Sequence, residues 1–191
     1  DFTLLRAKAF GTLVYRWIGI LINAIKRKPV WLIADRHDKA DDNGEVFFEY
    51  LQKEKKKKIS AYFVISDKSS DYHRLKKIGR VIKSQGLKHK VLSLISDGTD
   101  SSGGRSPILD DPFGTDRIWN RDILLSKPFV FLQHGIIKDD MSDDMCFWLR
   151  GYSGFVTSAE RERKSILHTS YGYSEKEVWQ TGLARYDKLY N

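Results

Sequence analysis

Residues 4–27 open the chain with a helical periodicity. At roughly 100° per residue, Lys8, Thr12, Arg16, Gly19, Asn23, Lys26 and Arg27 share one narrow stripe, and Leu5 falls among them. Leu4, Phe10, Leu13, Val14, Trp17, Ile18, Leu21, Ile22 and Ile25 fill most of the remaining circumference. An ordinary surface helix shows the reverse proportion. Two arrangements fit: a helix lying in a membrane interface with its basic stripe toward the headgroups, or a helix covered by protein on two sides. Pro29 stops it.

Beyond Pro29 the pattern changes to short apolar runs separated by helical or polar stretches. Residues 30–34, 60–65, 91–95, 129–133, 155–158 and 178–181 read as strands. Helices are predicted over 46–55, 71–77 and 159–167, with another beginning near 185. Residues 96–122, with Gly98, Gly103, Gly104 and Pro107, read as a long loop. Continuous apolar strands alternating with helices predict an α/β fold, a Rossmann-like parallel sheet with helices on both faces, preceded by the amphipathic helix. The boundaries are 1–28 for the helix and 29–191 for the sheet domain. Ligands bind such sheets at the carboxyl ends of strands. That rule selects three loops: 35–44, 134–142 and 158–160.

Composition narrows the class. The 191 residues include 33 Lys and Arg against 25 Asp and Glu, a formal charge of +8. This favours anionic company: nucleic acid, anionic lipid or phosphorylated substrates. Hydrophobic residues make up 41%, which excludes a disordered chain. No run is long and apolar enough for a membrane span. The single Cys146 excludes an internal disulfide and fits a reducing compartment. The chain opens on Asp1 rather than Met and reads as a fragment; residues 17–25 run into Lys26-Arg27-Lys28, not into a cleavage site.

The dinucleotide fingerprint, the P-loop and the nucleophile elbow are absent, and no metal-ligand spacing is present. What stands out is His134, at the end of the strongest apolar strand and followed by Gly135, which permits close approach of a ligand. An imidazole there can take a proton from a substrate hydroxyl, or simply close the sheet edge. Lys138 can meet a phosphate, and Asp139 can orient His134 or cap a helix. Asp35, Arg36, Asp38 and Lys39 form a dense mixed-charge loop at the end of the first strand. His37 is a secondary candidate. His73, His89 and His168 sit in polar surroundings and are expected at the surface, without a role.

At these residues a family resemblance appears. Residues 31–36 (Trp-Leu-Ile-Ala-Asp-Arg) and 38–45, which include Asp38 and Asn43, resemble the opening motif of the CDP-glycerol glycerophosphotransferases, the teichoic acid primases and polymerases with their ribitol-phosphate relatives. Gln133-His134-Gly135, continuing through Lys138 and Asp139, resembles the central motif. Thr157-Ser158-Ala159 with Glu162, and residues 181–187, resemble two later ones. The amphipathic start resembles the family's membrane-associated segment. Two departures stand out: residues 143–147 intervene before Trp148-Leu149, and the region 97–111 differs from the usual strand and serine pair, for which Ser101-Ser102 is the candidate counterpart.

The resemblance implies the first, acceptor-side half of a GT-B-type two-domain transferase, with the CDP-alcohol half beyond residue 191. It implies transfer of glycerol phosphate or ribitol phosphate from a CDP-activated donor to the terminal hydroxyl of a lipid-linked polymer, with release of CMP. His134 would be the general base. Asp35, Arg36, Asp38, Asn43, Gln133, Gly135, Lys138, Asp139 and Ser158 would contact substrate. No metal and no cofactor are implied beyond CDP-glycerol or CDP-ribitol as donor. The expected setting is the cytoplasmic face of the membrane, as a peripheral protein on an anionic surface, with a homo-oligomer left open. The basic-aromatic stacking motifs of common RNA binders are missing, so nucleic acid is not an expected partner. The competing classes are a non-catalytic basic module for membrane or nucleic acid, and a nucleotide-sugar glycosyltransferase on the same architecture.

Overall fold

A computed structural model describes residues 2–105, 112–113 and 119–189. Seven parallel strands form one sheet in the order β3-β2-β1-β4-β5-β6-β7. The strands are β1 (Val30–Ala34), β2 (Ser60–Ile65), β3 (Val81–Lys83), β4 (Gly98–Ser101), β5 (Phe129–Phe131), β6 (Gly154–Thr157) and β7 (Val178–Gln180). The helices are α1 (Phe2–Ile25), α2 (Asn43–Glu54), α3 (Asp71–Ile78), α4 (Leu87–Ile95), α5 (Arg121–Ser126), α6 (Ser142–Met145), α7 (Phe147–Arg150) and α8 (Glu160–His168). A 3-10 turn covers Ala184–Leu189.

Strand alternation sorts the core into two layers. Ile33, Ala61, Phe63 and Ile65 face α2 and α3 through Phe48, Leu51 and Leu75. Leu32, Val64, Phe129, Phe131 and Phe155 face the other way, onto Leu92 and Ile95 of α4 and Ile166 of α8. Helices therefore cover both faces, as the strand pattern predicts. The chain reverses direction across the sheet between β1 and β4, so the switch point lies between the loops that follow those two strands.

Two predicted elements change. Residues 91–95 are helix, not strand. Leu92 and Ile95 meet the sheet while Leu94 meets a second cluster with Phe113, Leu124 and Tyr15, so α4 is apolar on two sides because it is sandwiched between the sheet and α1. A short apolar run carries no periodicity that separates the two states. The strand in this part of the chain is instead β4, Gly-Thr-Asp-Ser, inside the expected loop and at the centre of the sheet. Its polar sequence hides it. Residues 106–111 and 114–118 of that loop lie outside the described residues. The edge strand β3, three residues long, has no sequence signal of its own. His89 is also corrected: it is buried in α4, Nδ1 accepts from the Gln85 N–H, and burial pushes its pKa down to about 3.

The polar stripe of α1 faces the domain. Thr12 and Gly19 are buried, with Gly19 against Leu94. Arg16 pairs with Asp122 at 2.7 Å and Lys26 with Asp97 at 2.7 Å. A headgroup-facing role for Arg16 and Lys26 is thereby overturned: their charges are matched by carboxylates of the domain. The opposite, apolar face is open, with Trp17 65% and Ile25 77% exposed and Leu13 and Leu21 beside them.

Asp100 of β4 is fully buried and its Oδ2 has no hydrogen-bond partner among the described residues. Desolvation raises its pKa well above the ordinary value. A folded-state pKa above the unfolded one gives stability that is complete at low pH and lost as pH rises toward the folded value. Asp100→Leu is therefore expected to gain stability over the parent as pH rises from 4 to 8. Melting curves at several pH values check this; a constant difference in Tm across that range would refute it.

Candidate functional site

The site is built where β1, β4, β5 and β6 end. Asp35, the first residue after β1, is buried and gathers donors. Oδ1 accepts from Gly44 N–H at 2.8 Å and from the Ser102 hydroxyl at 2.6 Å; Oδ2 accepts from Asp42 N–H at 3.2 Å and Glu45 N–H at 3.1 Å. Three of these are backbone donors at the start of α2, where a helix presents unpaired N–H groups and positive dipole. This cap extends α2 back to Asn43, three residues before the predicted start. Burial pushes the Asp35 pKa up to about 6, against the pull of its hydrogen bonds. A Cβ at Gly44 would lie 2.4 Å from Asp35 Oδ1, so this contact requires glycine.

Strand β5 ends two residues earlier than its apolar run because Gln133 turns into the left-handed region at φ 58°. The turn is held from two sides. The fully buried Asn43 donates from Nδ2 to the Gln133 carbonyl at 2.7 Å, and Gln133 Nε2 donates to the Val156 carbonyl. Asn43 Oδ1 accepts from Arg185 N–H at 2.9 Å, and the Arg185 guanidinium reaches Asp42. His134 follows the turn. Its ring is exposed, and Nδ1 lies 3.2 Å from the Ser102 carbonyl oxygen.

The loop after His134 is fixed by Glu162 and Tyr171. The buried Glu162 carboxylate accepts from Ile137 N–H at 2.8 Å and from both the N–H and the hydroxyl of Ser158, at 2.6 and 2.9 Å. Tyr171 accepts from Met141 N–H at 2.8 Å. Between these ties lies a cavity of about 250 Å³, lined by Gln133, His134, Gly135, Lys138 and Asp139 together with Met141.

The structure thus brings most of the predicted residues to one edge, in different settings. His134, Gly135, Lys138 and Asp139 line the cavity. Asp35, Asn43 and Gln133 are buried, and their hydrogen bonds run into the protein, with Gln133 also reaching the cavity wall. Arg36 and Lys39 line a separate recess of about 50 Å³ with Asp41 and Asp42; Asp38 is exposed beside them. Ser158 is tied to Glu162 rather than to the cavity. Sequence reasoning assigned no role to Glu162 or Ser102. Glu162 carried a usable signal, an acidic residue four positions after Ser158 at a helix start; Ser102 lay in the unrecognised strand end. Among the described residues no group of three or more His, Cys, Asp or Glu side chains is placed to hold a metal ion.

A parallel α/β sheet with its polar loops gathered at the strand ends is a Rossmann-like arrangement. Comparison with known proteins agrees. Residues 15–99 match the sequence profile of the family "CDP-Glycerol:Poly(glycerophosphate) glycerophosphotransferase", in agreement with the resemblance read from the opening motif. The chain is 39% identical over 181 residues to the minor teichoic acid biosynthesis protein GgaB of Bacillus subtilis (strain 168), covering 93% of this chain and 19% of that protein. Two structures of the wall teichoic acid polymerase TagF superpose with TM-scores of 0.62 and 0.63 at 14% identity, covering 98% and 99% of this chain and 46% of that one. The chain spans a fifth of GgaB and under half of TagF.

Proposed function

We propose that this chain is the acceptor-side half of a transferase that moves glycerol phosphate or ribitol phosphate from a CDP-activated donor to a terminal hydroxyl of a lipid-linked teichoic acid or related cell-surface polymer, releasing CMP. The observation that carries this reading is His134, presented at a strand end in a cavity with Lys138 and Asp139, in a chain similar to GgaB along nearly its whole length. His134 takes the proton of the acceptor hydroxyl as its oxygen attacks the donor phosphorus; the P–O bond to CMP breaks, and CMP leaves with that bond's electron pair. Lys138 offsets charge on the phosphates. Asp35, Asn43, Gln133 and Ser158 act by holding the backbone around the site. The donor is held by a second half, and the reading calls for no metal or cofactor. The test is release of CMP from CDP-glycerol or CDP-ribitol, with a lipid-linked acceptor, by protein that carries both halves. Turnover of UDP-sugars in place of CDP-alcohols would overturn it in favour of glycosyl transfer.

The same reading places the protein peripherally on the cytoplasmic face of the membrane, with the open face of α1 lying in the interface. No helix among the described residues is long and apolar enough to cross a membrane. Exposed Trp17, Leu21 and Ile25 support interfacial binding. The cationic half of the contact comes from Arg27, Lys28 and the exposed lysines 56–58, joined where Lys28 Nζ donates to the Lys56 carbonyl. Binding to vesicles containing anionic lipid is expected to weaken at least tenfold in Trp17→Asp and Leu21→Asp, since a charge there must be buried to bind. Equal sedimentation of the parent protein with and without vesicles at low salt would rule this placement out.

A further inference from the structure

The base proposed above must present a nitrogen lone pair, and the interior beneath His134 decides which nitrogen carries it. A backbone carbonyl can only accept, so the 3.2 Å contact between His134 Nδ1 and the Ser102 carbonyl requires Nδ1 to be the protonated nitrogen of the neutral ring. No described residue bonds Nε2, on a ring that is exposed and lines the cavity. The Ser102 carbonyl is itself held. Its residue is buried, its N–H lies 3.3 Å from the Ala34 carbonyl, and its hydroxyl donates to Asp35 Oδ1 at 2.6 Å. Asp35 in turn cannot drift, because it is fixed to the first N–H groups of α2. On the other side, Asn43 and Gln133 fix the backbone from which His134 projects.

We propose that Ser102 is a positioning residue: through the chain Asp35–Ser102–His134 it holds the imidazole as the Nδ1–H tautomer and so makes Nε2 the nitrogen that accepts the proton of the substrate hydroxyl. An unconstrained imidazole prefers the opposite tautomer, with the proton on Nε2, so the relay works against the intrinsic preference of the ring. The chemistry is that of a histidine base oriented by an acceptor behind it, with a carbonyl in the place a carboxylate takes in a catalytic triad. The carbonyl carries no full charge, so it sets orientation without adding an anion beside an incoming phosphate. The inference rests on His134 being the base.

The decisive measurement is the ¹⁵N spectrum of the His134 ring in this chain, recorded with the imidazole neutral. The expected pattern is a protonated Nδ1 and an unprotonated Nε2. A predominant Nε2–H tautomer would overturn the proposal. Ser102→Ala removes the hydroxyl and keeps the carbonyl; it is expected to shift the ring toward a mixture of tautomers and, in protein carrying both halves, to lower kcat about tenfold or more with the donor KM unchanged. Ser102→Thr, which keeps a hydroxyl, is expected to restore both. An unchanged tautomer and unchanged kcat in a folded Ser102→Ala protein would also overturn it. Retained turnover in His134→Ala would instead remove the base assignment, and the ring spectrum would still report the relay.

Discussion

Replacing His134 by alanine is expected to lower kcat by about 10²–10⁴-fold, the range that a positioned general base contributes. The effect should fall on kcat rather than on the donor KM, because the role proposed for the imidazole is on the acceptor hydroxyl. Stability should hardly change: the ring is exposed, and surface substitutions usually stay within about 0.5 kcal/mol. CMP release measured beside a melting curve separates the two quantities. Full turnover in the folded variant would refute the assignment. A parallel loss of turnover and of Tm would point to a structural role for the ring.

Glu162→Ala is expected to cause a large loss of stability. The carboxylate accepts three hydrogen bonds, from Ile137 N–H, Ser158 N–H and the Ser158 hydroxyl, in buried or part-buried surroundings. Each donor left without a partner costs about 1–3 kcal/mol, and some recover water, so a total of about 3–5 kcal/mol is expected. For a domain of this size that corresponds to a fall in Tm of roughly 6–20 °C. Glu162→Gln should lose less, since its one remaining oxygen still serves Ile137 or Ser158. Hydrogen exchange gives the local readout: the Ile137 amide should lose protection in Glu162→Ala. A Tm within a degree or two of the parent would show that this carboxylate does not tie the loop after β5 to the end of β6. Activity should fall along with stability, because the tie shapes the wall of the cavity beside His134.

The two variants separate two kinds of residue that the sequence presents together. His134 and Lys138 reach the cavity; the buried Asp35, Asn43, Gln133 and Glu162 hold the surrounding backbone through hydrogen bonds. All lie in or beside motifs, because a site on loops needs its supports as much as its reacting groups. Sequence spacing does not distinguish them. Gln133 and His134 are neighbours in the chain, yet one side chain is buried and the other exposed.

Most of the architecture was legible in the chain alone. Apolar runs at β1, β2, β5, β6 and β7, separated by stretches long enough for crossovers, specify a parallel sheet, and the rule that ligands gather at strand ends picks out the loops after β1, β5 and β6. The motifs then resemble those of the glycerophosphotransferase family, whose profile matches residues 15–99. What the sequence left undecided has a common cause: burial between layers removes the alternation that pattern reading depends on. Helix α4 reads as a strand because the sheet lies on one side of it and α1 on the other. Strand β4 reads as a loop because its sequence, Gly-Thr-Asp-Ser, has no apolar run, yet all four residues are buried; the Thr99 hydroxyl donates to the Pro128 carbonyl and Ser101 accepts from the Gly103 N–H. The direction of α1 is the clearest case. Periodicity defines a polar and an apolar face, but which one meets the domain depends on Asp97 and Asp122, carboxylates about 70 and 106 positions away along the chain. The same holds for His134. Its position at a strand end was fixed by local sequence, whereas the carbonyl behind its ring comes from Ser102, brought there by the pairing of β1, β4 and β5. Local sequence chose the elements and the chemistry; long-range pairing chose their orientation.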